Sequence, residues 1–75
     1  MDTKFLNLIS ATLKVPLDQL RNESTTETLP QWTSLSHWEV IEAIEAEYHI
    51  EFTMDESTEF KNLGSLYAIL QKKLH

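Results

Sequence analysis

The chain has no cysteine, one glycine and two prolines in 75 residues, and it carries six lysines and arginines against twelve aspartates and glutamates. Each shortage removes a class of chemistry. Without cysteine there is neither a disulfide staple nor a thiolate zinc site. A single glycine builds no phosphate-cradling loop, and it leaves a serine–histidine nucleophile without the backbone oxyanion hole that acyl transfer requires. No apolar stretch approaches the ~20 residues of a membrane-spanning helix. A net charge of −6 repels a nucleic-acid backbone instead of neutralising it. No histidine pair stands at metal spacing and no loop has a calcium-site ligand pattern, so no metal ligands are expected.

What remains, at 41% apolar and 24% charged residues, is the composition of an ordinary globular chain. Its length allows one domain, residues 1–75. So small a core supplies a net stability on the order of 3–5 kcal/mol, which favours helices, whose backbone hydrogen bonds are local. The opening segment MDTKFLNLISATLK has no cleavage-type small-residue site and sets an acid beside its early lysine. The expected location is therefore the cytoplasm.

The placement of charge says more than its sum. Between Arg21 and Lys61 there is no lysine or arginine, while Glu23, Glu27, Glu39, Glu42, Glu45, Glu47, Glu51, Asp55, Glu56 and Glu59 all fall in that interval. Such a surface attracts basic partners and speeds encounter with them; a plain solvated helix face gives the same pattern.

Phe5, Leu6, Leu8, Ile9 and Leu13 recur at helical spacing and predict a first helix over about Thr3–Lys14, ended by Pro16. Val15–Thr33 has no sustained period and reads as a long loop with one turn near Leu17–Leu20, anchored by Leu17, Leu20, Leu29 and Trp32. A second helix is expected over about Ser36–His49, opened by Ser36-His37-Trp38-Glu39 as a capping box. It sets His37, Ile41, Ile44 and Tyr48 on one face, Val40 at its edge, and Glu39, Glu42 and Glu45 opposite. Ile50 and Phe52 read as inward anchors of the next connection. Ser57 or Thr58 opens a short turn through Glu59 to Lys61. Leu63, Leu66, Tyr67, Leu70 and Leu74 mark a final helix, with Lys72 and Lys73 at its C-terminal end. The expected fold is all-α: a small bundle of four helices, three longer and one short, with a long first loop.

Catalytic readings find little support. His37 belongs to the apolar face, which suits a hydrogen-bonded core histidine better than a base for Ser34 or Ser36. Glu39, Glu42 and Glu45 project to solvent with no concave pocket between them. Ser34 is more informative as an acceptor. If Ser36 caps the second helix, Ser34 stands exposed just outside its N-terminus. A phosphodiester placed there would meet unpaired backbone N–H groups and the positive end of the helix dipole. A polar loop residue beside a cap is the other reading of the same position.

The segment Trp32-Thr33-Ser34-Leu35-Ser36-His37-Trp38-Glu39-Val40-Ile41-Glu42-Ala43-Ile44-Glu45-Ala46-Glu47-Tyr48 resembles the attachment motif and second helix of the acyl carrier protein family, in which Asp-Ser-Leu precedes an acidic amphipathic helix. Tyr48-His49-Ile50-Glu51-Phe52 is similar to the Phe-x-Ile-x-Ile link of that family, Asn62-Leu63-Gly64-Ser65-Leu66 to the Thr-Val-Gly-x-Ala opening of its last helix, and Leu13-Lys14-Val15 to the Leu-Gly-Val closing the first. The spacing from Val15 through Ser34 to Gly64 needs no gaps, so the resemblance covers essentially the whole chain.

The resemblance implies an acyl-carrier-like fold and a non-enzymatic role. Ser34 would carry 4′-phosphopantetheine, taken from coenzyme A by a phosphopantetheinyl transferase. Leu35, Glu39, Glu42, Glu45 and Glu47 would face acyl-loading and acyl-processing enzymes with basic docking patches. A monomer that binds neither nucleic acid nor membrane is the natural form of such a shuttle. The chain departs from the family pattern at Thr33, which stands for the aspartate, and at Leu29-Pro30-Gln31-Trp32, which stands for Asp-Leu-Gly-Ala and is closer to carriers of specialised pathways. Trp38 replaces a small aliphatic; inward it would shorten an acyl pocket, outward it would become a partner contact. An aminoacyl or peptidyl carrier, and a helical adaptor without the arm, are the alternative functions.

Overall fold

A computed structural model describes residues 2–58 and 60–74. Four α-helices run in the order α1 (Thr3–Leu13), α2 (Ser34–Tyr48), α3 (Met54–Thr58) and α4 (Leu63–Leu74), with a 3-10 turn at Leu17–Gln19 inside the long first connection. No strand occurs among the described residues, and none of the described helices is long and apolar enough to cross a membrane. The small all-α architecture expected from the periodicity is present.

α1 is capped by Asp2, whose Oδ1 accepts from the Phe5 backbone N–H at 2.8 Å. It ends before Pro16 is reached, at Lys14, which adopts the left-handed conformation (φ 60°). His49 does the same after α2 (φ 56°), so both long N-terminal helices close on a non-glycine residue in that region. Lys4 joins these helices: its Nζ lies 3.7 Å from Glu47 Oε1 and 4.6 Å from the centroid of the Tyr48 ring.

The apolar faces meet in one core. Phe5, Ile9 and Leu13 of α1, Val40, Ile41 and Ile44 of α2, and Leu63, Leu66 and Leu70 of α4 are buried together, joined by Val15, Leu20, Leu29 and Trp32 from the first connection. Leu20, Leu29 and Trp32 anchor that loop as expected. Leu17 does not: it is 47% exposed, because the 3-10 turn it opens carries no buried residue and lies on the surface.

Two helix starts differ from expectation, and in both the deciding feature is a cap. α3 runs over Met54–Thr58, earlier than a turn opened by Ser57 or Thr58. Thr53 Oγ1 accepts from the Glu56 N–H at 3.1 Å while Glu56 Oε1 accepts from the Thr53 N–H at 2.9 Å, a reciprocal box written in the sequence as Thr53-Met54-Asp55-Glu56. Glu59, part of the expected turn, lies outside the described residues. Glu56 also receives Lys73 Nζ at 2.6 Å, tying α3 to the last turn of α4. That hydrogen bond from Lys73 is the main reason its carboxyl titrates below the usual glutamate value.

α4 opens on Asn62, whose Oδ1 accepts from the Ser65 N–H at 2.8 Å. Its first turn is clamped to the first connection by Leu63 N–H to Ser24 O (2.8 Å) and Gly64 N–H to Asn22 O (3.0 Å). A Cβ on Gly64 would stand 3.2 Å from that same Asn22 carbonyl, which accounts for the only glycine of the chain falling at this crossing. The clamp carries the long loop back across the bundle and thereby sets where it delivers α2.

Leu66 is fully buried at the centre of this core. Leu66→Ala should cost about 2–5 kcal/mol, comparable to the whole stability of so small a domain. Urea unfolding followed by far-UV circular dichroism should therefore show a variant largely unfolded without denaturant.

Candidate functional site

The long loop reaches α2 through Trp32. Its side chain is 1% exposed, and burial of an indole demands a partner for its N–H. Trp32 Nε1 donates to His37 Nδ1 at 3.2 Å, and His37 Nε2 lies 2.5 Å from the Ser57 carbonyl oxygen. The donor on one side and the acceptor on the other fix the imidazole as the neutral tautomer with its proton on Nε2. Phe60 packs against both rings, 5.1 Å from Trp32 and 4.6 Å from His37 with interplanar angles of 19° in each case. Loop, α2 and α3 are thus pinned together at a single aromatic cluster. His37 is the hydrogen-bonded core histidine expected, and neither of its ring nitrogens is free to take a proton from Ser34.

One residue beyond Trp32 the chain turns into α2. The helix begins at Ser34, two residues earlier than the expected start at Ser36. Thr33 is the N-cap: its Oγ1 accepts from the Ser36 N–H at 3.2 Å. Ser36 sits at the third helical position and answers with its own hydroxyl, which accepts from the Thr33 N–H at 2.7 Å and donates to the Gln31 carbonyl at 2.8 Å. Threonine followed by serine at the third helical position closes a box normally written with glutamate or glutamine there. Glu39, the expected partner, is exposed on the outer face instead.

Ser34 therefore occupies the first turn of α2 instead of the loop outside it. Its side chain is exposed, and among the described residues its hydroxyl has no hydrogen-bond partner. The N–H groups of Ser34 and Leu35 fall among those a helix leaves unpaired at its start, since Ser36 N–H is taken by the cap and His37 N–H by the Thr33 carbonyl at 2.8 Å. Leu35 is 74% exposed, the most exposed large apolar side chain among the described residues.

The acids of α2 divide into two pairs. Glu39 and Glu42 are exposed and form no salt bridge among the described residues. Glu45 is half-buried, and its Oε2 accepts from the Phe52 N–H at 2.8 Å, holding the connection after α2. Glu47 is exposed and pairs loosely with Lys4. Of the four expected partner-facing acids, Glu39 and Glu42 are free, Glu47 is weakly engaged, and Glu45 serves the fold.

Beside Ser34 lies an open cleft of about 600 Å³, with Pro30, Trp32, His37, Trp38 and Phe60 in its walls. Trp38 is 45% exposed and turns outward from the core, which resolves the two orientations left open by the sequence. Its far side borders a second, smaller depression of about 250 Å³ shared with Ile41, Glu42 and Met54. Phe60 is the site residue that sequence reasoning missed; as a lone aromatic between two helices it shows no period. Among the described residues no group of three or more His, Asp or Glu side chains is arranged to hold a metal ion. Comparison with protein-family models, with curated proteins and with solved structures finds no match for this chain.

Thr33→Ala should lower stability by about 1 kcal/mol through loss of the cap, whereas Thr33→Asp, which offers an equivalent acceptor, should retain it. Urea midpoints of the two variants check both outcomes. Equal loss in both would mean that the hydroxyl contact with Ser36, and not the cap, is what matters.

Proposed function

We propose that this protein is a carrier of thioester-linked acyl groups, held on a 4′-phosphopantetheine arm attached to Ser34. The observation that carries the reading is the presentation of Ser34: an exposed hydroxyl on the first turn of α2, without a hydrogen-bond partner among the described residues. Its setting adds support, since bare backbone N–H groups flank it and an acidic helix face runs on behind it. The resemblance of the Trp32–Tyr48 segment and its companion motifs to acyl carrier proteins points the same way.

The chemistry requires no catalytic group on the chain itself. The Ser34 oxygen attacks the pantetheine-bearing phosphorus of coenzyme A, the new O–P bond forms as the pyrophosphate link breaks, and adenosine 3′,5′-bisphosphate leaves. A transferase removes the serine proton and stabilises the leaving phosphate. A phosphodiester on Ser34 would place its negative charge at the N-terminus of α2, where the helix dipole favours it. Thr33 takes no part through charge, but it supplies the cap that an aspartate would supply at that position and so preserves the geometry of the serine.

Partners are enzymes with basic docking patches, drawn by Glu39 and Glu42 and seated on Leu35. Exposed charges raise association rates without locking the complex, which suits a shuttle that visits several enzymes in turn. The arm keeps its cargo at high effective concentration near whichever enzyme is docked. The reading places the protein in the cytoplasm as a monomer, where coenzyme A and the transferase are found. An aminoacyl or peptidyl carrier shares the same arm and differs in cargo. An adaptor that has lost the arm predicts a Ser34 that stays bare.

Incubation with coenzyme A and a broad-specificity phosphopantetheinyl transferase should raise the intact mass by one phosphopantetheine, and Ser34→Ala should abolish the gain. No gain in the wild type, or a gain that survives Ser34→Ala, overturns the proposal. Replacing Glu39 and Glu42 together with lysine should slow modification at low salt. That difference should shrink as the screening length falls from ~10 Å at 0.1 M to ~3 Å at 1 M ionic strength; a loss independent of salt would contradict a docking role for these acids.

A further inference from the structure

The cleft beside Ser34 is walled by rings. Trp32, His37 and Phe60 form a mutually packed triangle with centroid separations of 4.6–6.0 Å, and Trp38 extends it, 6.2 Å from His37 and tilted by 51°. Trp38 and Phe60 are the members with surface to spare, one exposed and one half-buried. Among the described residues, none of the nine lining positions is Asp, Glu, Lys or Arg, in a chain where 24% of residues are charged. The sequence from residue 22 to residue 60, which contributes every wall of the cleft, holds no lysine or arginine. Hydroxyls of Thr26, Thr33 and Thr58 stand around it.

We propose that this cleft receives the end of the arm carried by Ser34, and that the group it takes is a flat, uncharged aromatic acyl group. The inference rests on the carrier reading for the arm, but the fit of the cleft follows from its own walls. At about 600 Å³ it has the volume of a small-molecule site, generally some 300–1,000 Å³, and Ser34 lies on its lining. Ring faces prefer offset-stacked or edge-to-face aromatic partners, which a saturated chain cannot supply. A carboxylated acyl group finds no cation within these walls. The Thr33 and Thr58 hydroxyls are engaged at the Ser36 N–H and the Met54 carbonyl, which leaves Thr26 to meet the polar groups of the arm. Cargo held here leaves the closed core of Ile44, Leu66 and Leu70 undisturbed, and it lies against the exposed Trp38, where an incoming enzyme would meet it.

The absence of cysteine makes a test possible without any transferase. Ser34→Cys has a unique thiol, which can be alkylated with iodoacetamides carrying a flexible linker that ends in phenyl, cyclohexyl or carboxylate. Proton–nitrogen and aromatic NMR spectra then report docking. The phenyl arm should shift the Trp38 indole and Phe60 ring signals, with a docked-to-free ratio about two- to tenfold above that of the cyclohexyl arm, and the carboxylate arm should leave them unmoved. Trp38→Leu in the same Ser34→Cys background keeps an apolar side chain and should lose most of the preference for phenyl. Unchanged ring signals with the phenyl arm, or equal shifts with phenyl and cyclohexyl, overturn the inference. Because these arms are attached by alkylation, the outcome is independent of whether a transferase modifies Ser34, so failure of the cleft and failure of the carrier reading are told apart.

Discussion

The hydrogen bond from the buried Trp32 indole to His37 links three segments that have little else in common. Trp32 ends the long loop, His37 lies in the first turns of α2, and the other imidazole nitrogen reaches the Ser57 carbonyl in α3. An indole N–H or an imidazole buried without a partner costs about 1–3 kcal/mol, so each member of the chain holds the others in place. Thr33, Ser34, Leu35 and Ser36 are the residues between Trp32 and His37. With Trp32 fixed below and His37 fixed behind, the reciprocal cap of Thr33 and Ser36 has one way to close, and Ser34 is left on the outside of the first turn. The exposed hydroxyl is thus a consequence of what is buried on either side of it.

The same arrangement separates structural charge from available charge. The chain collects ten acids between residues 23 and 59 and no lysine or arginine among them, a distribution that carries self-repulsion. Part of that charge serves the fold: Glu56 closes the cap of α3 and binds Lys73, and Glu45 holds the Phe52 amide. The lysines that answer acids of this stretch, Lys4 at Glu47 and Lys73 at Glu56, lie near the two ends of the sequence. The middle of α2 keeps Glu39 and Glu42 uncompensated, next to Leu35 and Trp38, so an apolar contact and an electronegative field lie side by side. A partner enzyme would need a basic rim around an apolar seat.

Helix identity and core were legible in the sequence because they depend on period. Ile41, Ile44, Leu63, Leu66 and Leu70 fall on their faces at helical spacing, and all are buried. Leu20, Leu29 and Trp32 were legible as loop anchors because large apolar residues in a polar run have few other uses. The two misplaced helix starts have a common physical cause. A cap is decided by competition among neighbouring hydroxyls, and Thr33 takes the role three residues ahead of Ser36, immediately after the buried Trp32. At α3, Thr53 and Glu56 carried the correct signal, while Ser57, offered as a start, is buried with its hydroxyl donating to the Met54 carbonyl at 2.9 Å. The aromatic cleft was not legible at all. Phe60 joins Trp32 and His37 only through the tertiary fold, and no spacing in the sequence relates them.

The account turns on one proposed covalent event at Ser34, and protein isolated from its native host would record it directly. Proteolysis and mass spectrometry of such material should find the peptide spanning Ser34 carrying phosphopantetheine, with or without an acyl group on its sulfur, and the modification localised to that serine. A Ser34 that is bare in every molecule, in cells that modify their other carriers, would contradict the account and leave the fold as that of an adaptor.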